Sequence, residues 1–209
     1  MGGIIVIDVD DALFDFVGGL TNYIARAHPR LMRAYRDAHT IPLSREAFQI
    51  YSLARTIPGG TLEMEEEVVG GFYTSAEFSE LSPLEGAKEF AQRATAQGLG
   101  IVIATSRPAE IEALTRAQVS GLLPDARIIN YHFCGGSSVS TSLTCKGQLC
   151  REYRAVAFID DSATHIGACR RKSPTTRAFM MSQPWNKSAS ALDSARAHNW
   201  AYIGDELRL

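Results

Sequence analysis

Residues 3–10 read Gly3-Ile4-Ile5-Val6-Ile7-Asp8-Val9-Asp10, an unbroken aliphatic run closed by two acids. A run without polar alternation suits a strand buried on both faces, which is the environment of a parallel sheet. The same grammar returns at 99–105 (LGIVIAT), 126–133 (ARIINYHF), 155–159 (AVAFI) and 177–181 (RAFMM). Helical periodicity fills the intervals. Residues 85–97 place Ala87, Phe90, Ala91 and Ala94 on one face, with Gly98 as the cap. Residues 108–119 carry Ile111, Leu114 and Val119 behind Pro108, and 146–153 and 162–171 supply two further helices. Strands alternating with helices predict an α/β fold: a doubly wound parallel sheet, Rossmann-like, with right-handed crossovers.

Residues 15–81 break that rhythm. They hold no comparable aliphatic strand and read as helices over 16–38, 45–53 and 63–72, punctuated by Pro42, Pro58 and Gly59-Gly60. The expected organisation is a core of 1–14 and 82–209 with a small helical cap, 15–81, inserted after the first strand. Ligands of open α/β sheets bind at the C-terminal strand ends, so the insert is expected to act as a lid. Residues 135–144 (GGSSVSTSLT) read as a mobile polar loop.

The balance of the chain excludes several classes. With 45% hydrophobic and 21% charged residues in 209, the composition is that of an ordinary globular protein rather than a disordered one. A chain of this size buries about 70% of its surface on folding and needs no staples. Twenty-one basic against 23 acidic residues argue against a duplex nucleic-acid surface. No apolar run approaches the ~20 residues of a membrane span, and no basic segment precedes the first run. Val6 stands where a myristoylation motif wants Ser or Thr. The expectation is a cytoplasmic chain without membrane contact, monomeric or homodimeric. Cys134, Cys145, Cys150 and Cys169 contain no CxxC pair and are expected as reduced thiols.

The chemistry gathers at the strand ends. Asp8 and Asp10, two apart, point the same way if the strand continues through both. Asp160-Asp161 repeats the pattern after AVAFI, and two acid pairs ending two buried strands form an oxygen-rich pocket that suits Mg²⁺. Thr105-Ser106 ends the second strand with a hydroxyl and consecutive N–H groups, good phosphate donors. Lys146 opens a helix and offers a compact cation. Arg107 has two readings, a contact to phosphate or sugar and a helix-start salt bridge. Among the aromatics Phe14, Phe16, Phe48, Tyr51, Phe72 and Tyr73, most are expected in the cap core, with one or two, represented by Phe16 and Tyr73, meeting a substrate. Trp185 is expected to pack a loop against the core. The five histidines show no ligand spacing and read as structural or surface groups.

This order of residues resembles the haloacid dehalogenase-type phosphatase superfamily. Its DxD motif matches Asp8-Val9-Asp10, its Thr/Ser motif Thr105, its Lys Lys146, and its acid pair Asp160-Asp161. Residues 71–87 (GFYTSAEFSELSPLEGA), 101–108 (IVIATSRP), 157–162 (AFIDDS) and 183–186 (QPWN) are similar to segments of the 5'(3')-deoxyribonucleotidase family, with Asp11 where that family usually has Gly. The resemblance implies a Mg²⁺-dependent phosphomonoesterase acting on a nucleoside monophosphate. In it Asp8 is the nucleophile and Asp10 the general acid and base. Thr105, the Ser106 N–H and Lys146 bind the phosphate, and the metal is held by Asp8, the Asp10 carbonyl and Asp160 or Asp161. The alternatives are another small phosphate ester, a nucleic-acid 3'-phosphate end, or a non-catalytic phospho-acceptor of the receiver-domain kind.

Overall fold

The computed structural model describes residues 2–135 and 139–209; residues 136–138, within the stretch expected as a polar loop, lie outside the described residues. Six parallel strands form one sheet: β1 (Ile4–Ile7), β2 (Gly100–Thr105), β3 (Ile128–Phe133), β4 (Ala157–Asp160), β5 (Arg177–Met181) and β6 (Arg196–Ala197), in the order β3-β2-β1-β4-β5-β6. The fold is the expected doubly wound α/β type. β6 and the final helix Trp200–Leu207 were not foreseen, because a two-residue strand has no periodicity to read.

The connections leave β1 and β4 in opposite directions across the sheet. Right-handed crossovers therefore put the helices Ala87–Ala96 and Glu112–Leu122 on one face, and Val139–Glu152 and Ala163–Lys172 on the other. Alternate strand residues serve the two layers. Val6, Val102, Phe158 and Met180 pack with Leu149, Cys150, Ile166 and Cys169 of the latter pair. Ile5, Ile7, Ile101, Ile103 and Ile159 point the opposite way and are also fully buried. The chain leaves Ala87–Ala96 through Gly98 at φ 76, a left-handed conformation that glycine adopts without a Cβ clash.

Two compact units are distinguished. The sheet unit ends at Phe14, resumes over Pro83–Ser182 and closes with Ala189–Leu209, while the second comprises Asp15–Ser82 and Gln183–Ser188. In the second unit α1 (Phe16–Ala27) and α2 (Pro29–Ala38) replace the single helix expected over 16–38, because Pro29 begins a new helix and cannot continue the old one. The expected helix over 45–53 reduces to the 3₁₀ turn Arg45–Ala47 and α3 (Leu53–Thr56); α4 (Leu62–Tyr73) and α5 (Ala76–Ser79) complete the unit. Trp185 belongs here and not to the sheet unit: its ring lies 5.1 Å from that of Tyr51, with the Arg45 guanidinium 5.6 Å away. Arg45 also donates to Gln183 and pairs with Asp15.

In the sheet unit we label α6 (Ala87–Ala96), α7 (Glu112–Leu122), α8 (Val139–Glu152), α9 (Ala163–Lys172) and α10 (Trp200–Leu207). The backbone from Val139 belongs to α8, so Lys146 sits well inside that helix rather than at its start. Serine and threonine there mimic a loop in composition while the helix is held by packing against α9, where Gly147 lets the backbones approach. Cys134 is disulfide-bonded, and Cys150 and Cys169 are free and buried. The expectation of reduced thiols fails at Cys134, since pairing depends on Cα separation, which spacing along the chain does not report. Among the described residues no helix is long and apolar enough to cross a membrane.

Candidate active site

The crevice between β1 and β4 is the switch point of this topology, the position where α/β sheets take their ligands. The register pairs Ile7 with Ile159, so Asp8 and Asp160 stand level at neighbouring strand ends. Asp8 is 6% exposed and Asp160 fully buried. Two carboxylates placed this way repel unless a cation joins them. Lys146, fully buried on α8, supplies it: its Nζ lies 2.8 Å from Asp8 Oδ2 and 2.8 Å from Asp160 Oδ2. Asp160 receives more help, with the Ser162 N–H donating to Oδ1 at 2.7 Å and His165 Nδ1 at 3.1 Å from both oxygens. Asp8 accepts a 2.7 Å bond from the Val9 N–H.

These unequal surroundings separate the two acids. Burial pushes Asp8 up, Lys146 opposes it and Asp160 reinforces it, leaving Asp8 raised from 3.8 to about 7. Burial also pushes Asp160 up, but Lys146 and His165 outweigh it and hold it below the usual carboxylate range. Lys146 is raised despite its burial because both aspartates face it. A consequence follows for the metal-free protein. Asp8 binds its proton more tightly folded than unfolded, so its contribution is complete below about pH 4 and lost as pH rises toward about 7. Melting curves in EDTA are expected to show stability falling across that window by on the order of 1 kcal/mol per pH unit relative to Asp8→Asn. Parallel profiles for the two proteins would contradict this.

The strand does not continue through both acids of the first motif. After Val9 the chain turns, with Leu13 and Phe14 N–H groups donating to the Val9 carbonyl and Asp11 at φ 54. That left-handed conformation explains why glycine suits this position, and aspartate tolerates it better than most residues. Asp10 is thereby turned to a different cation, Arg107. The guanidinium, fully buried, donates from Nη2 to Oδ1 at 2.7 Å and from Nε to Oδ1 and Oδ2 at 3.0 and 3.1 Å. Of the two readings of Arg107, a phosphate or sugar contact and a salt bridge, the fold shows an ion pair, with Asp10, since a buried guanidinium needs a carboxylate partner.

Thr105 closes β2, fully buried, and its Oγ1 accepts the Arg107 N–H at 3.1 Å. Ser106 is exposed beside it, and Asp161 is 7% exposed, following Asp160. The two cap candidates lie in the second unit. Phe16 is 6% exposed, its ring 5.2 Å from Phe72 and 6.4 Å from Phe78, and Tyr73 is half-buried 5.1 Å from Phe78. Phe16 is thus a core ring of that unit, packed edge-on against Phe72 and Phe78. Sequence reading missed His165, Thr115 and Gln118. His165 had a usable signal, five residues beyond Asp160 in the first turn of α9.

The donor set fits a hard divalent cation. Asp8, Asp160 and His165 offer ligand atoms within 4.8 Å of one another, and carboxylate oxygens dominate, as Mg²⁺ prefers. Asp8 with Asp160 or Asp161 would hold it.

No family model and no curated protein sequence matches the chain. Solved structures do. The chain is similar to a predicted phosphoglycolate phosphatase from Haemophilus somnus, with a TM-score of 0.65, 15% identity, and 99% of this chain and 98% of that one covered. It is similar also to a haloacid dehalogenase-like family hydrolase from Streptococcus pneumoniae, with a TM-score of 0.65, 12% identity, and 99% and 98% covered. A HAD family hydrolase from Deinococcus radiodurans with bound phosphate and sodium matches with a TM-score of 0.64, 16% identity, and 99% and 95% covered. The six-stranded parallel sheet with its flanking helices has the α/β fold of the haloacid dehalogenase-type hydrolases.

Proposed function

We propose that the chain is a Mg²⁺-dependent phosphomonoesterase working through a phospho-aspartate, with nucleoside monophosphates as its substrate class. The observation that carries the chemistry is the buried Asp8–Lys146–Asp160 group at the switch point of the sheet. Asp8 attacks phosphorus in line and the ester oxygen leaves, giving an acyl phosphate that water then cleaves. Asp10 gives a proton to the departing oxygen and takes one from the attacking water. Lys146, Thr105 and the Ser106 N–H face the charge that spreads over the equatorial oxygens. Mg²⁺, when bound, supplies the charge that lets an anionic nucleophile approach an anionic phosphate.

The substrate class rests on the segments at 71–87, 101–108, 157–162 and 183–186 that resemble deoxyribonucleotidases. A two-carbon phosphate ester is the second reading, favoured by the name of the Haemophilus neighbour. A panel separates them: nucleoside 5'- and 3'-monophosphates, phosphoglycolate, a sugar phosphate, an oligonucleotide 3'-phosphate and p-nitrophenyl phosphate, each with Mg²⁺ and with EDTA. Nucleoside monophosphates are expected to exceed phosphoglycolate in kcat/KM by about tenfold or more, and EDTA to cost about 10²-fold. Phosphoglycolate leading the panel would replace the nucleotide reading, and release from no ester would defeat the phosphatase reading.

A further inference from the structure

Arg107 grips Asp10 with one edge and is itself gripped by α7 with the other. Its Nη1 donates to Gln118 Oε1 at 2.6 Å and to Thr115 Oγ1 at 3.2 Å. Thr115 and Gln118 are three apart and so share one face of the helix. Thr115 is fully buried and Gln118 half-buried. The backbone of Arg107 is fixed as well, through its N–H to Thr105 Oγ1. A guanidinium is planar, and a grip at Nη1 sets the orientation of the Nε–Nη2 fork that Asp10 meets. The grip on Asp10 is asymmetric. Among the described residues Oδ1 accepts bonds of 2.7 and 3.0 Å and Oδ2 one of 3.1 Å.

We propose that Gln118 and Thr115 are positioning residues that act through Arg107 on Asp10, leaving Oδ2 as the oxygen that moves the proton. This rests on the phosphatase reading above. In the first half-reaction the Asp8 Oδ–phosphorus bond forms and the phosphorus–ester oxygen bond breaks. The proton on Asp10 Oδ2 passes to the departing oxygen, which leaves as the neutral alcohol. In the second, water oxygen bonds to phosphorus, the Asp8 Oδ–phosphorus bond breaks with its electron pair remaining on Asp8, and Oδ2 takes the water proton. Asp10 is restored. A clamp that grips Oδ1 twice and Oδ2 once leaves Oδ2 the less committed oxygen, which serves both transfers without rearrangement.

Protonation of the leaving group matters most when that group is a poor one. An alkoxide needs the proton, whereas p-nitrophenolate departs without it. The test is kcat/KM, which reports the step up to leaving-group departure, measured with Mg²⁺ on p-nitrophenyl phosphate and on alkyl phosphates including a nucleoside 5'-monophosphate. Gln118→Leu keeps the volume and removes the acceptor. It is expected to lower kcat/KM on the alkyl esters about tenfold more than on p-nitrophenyl phosphate, in the direction set by Asp10→Asn. Thr115→Val should shift the same ratio by about threefold and Thr115→Ser should restore it, a pair that keeps the test open should Gln118→Leu fold poorly. Equal losses on both ester classes, or none, would overturn the positioning role while leaving the phosphatase reading intact. A wild-type chain inactive on every ester would instead remove the phosphatase reading itself.

Discussion

Replacing Asp8 with Asn is expected to lower kcat/KM for phosphate release by at least about 10⁴-fold, the scale on which enzymes lose rate when a covalent nucleophile is removed. The amide matches the carboxylate in shape but carries no charge, and it cannot form the acyl phosphate. The loss should not come from unfolding. Asp8 is 6% exposed and its ionisation is disfavoured by burial, with Asp160 beside it. Neutralising it removes an electrostatic cost, and Lys146 retains its 2.8 Å contact with Asp160. The melting temperature of the metal-free variant at about pH 8 is therefore expected to equal or exceed that of the wild type. Mass spectrometry of acid-quenched reactions should find a phosphoryl adduct in the wild type and none in the variant. Turnover within about tenfold of wild type would exclude a covalent role for Asp8.

Lys146→Met should damage both stability and rate. The side chain keeps its length and loses the ammonium, leaving Asp8 and Asp160 facing each other without their shared cation. Removing one partner from a buried ionic cluster costs about 3–5 kcal/mol, because the charges left behind remain buried. For a chain of this size that corresponds to a melting temperature lower by roughly 10 °C. A second substitution shows whether charge is the cause. Asp8→Asn on the Lys146→Met background removes one of the two unpaired carboxylates and should recover part of the loss, so the double variant should be more stable than the sum of the singles predicts. Strict additivity would mean that Lys146 stabilises the fold through packing of its stem alone. Phosphate release should fall about 10³-fold in Lys146→Met, as expected when a cation facing the transferred phosphoryl group is lost.

Much of this arrangement is legible along the chain. The aliphatic runs at β1, β2, β4 and β5 are buried on both faces, so their side chains need no alternation, and each announces a central parallel strand. The acids at positions 8, 10, 160 and 161 are legible for the same reason. Charge directly after a fully apolar strand has few places to go other than the sheet's ligand edge. The edges of elements are less legible. α8 begins at Val139, inside a Ser/Thr-rich stretch whose composition resembles a loop, and its packing against α9 overrides that local preference.

The sequence by itself determined the class of fold and the strand ends that carry the acids. Only the tertiary structure decided which cation serves which acid. Along the chain Arg107 and Lys146 are both candidate phosphate ligands, and each is distant in sequence from Asp8 and Asp10. In the fold, the turn through Asp11 at φ 54 sends Asp10 to Arg107, while the register between β1 and β4 sets Asp8 beside Asp160 and Lys146. Pairing of buried charges is a matter of separations of about 3 Å in a medium of low dielectric. Distances of that kind exist only once strands, turn and helices have packed together.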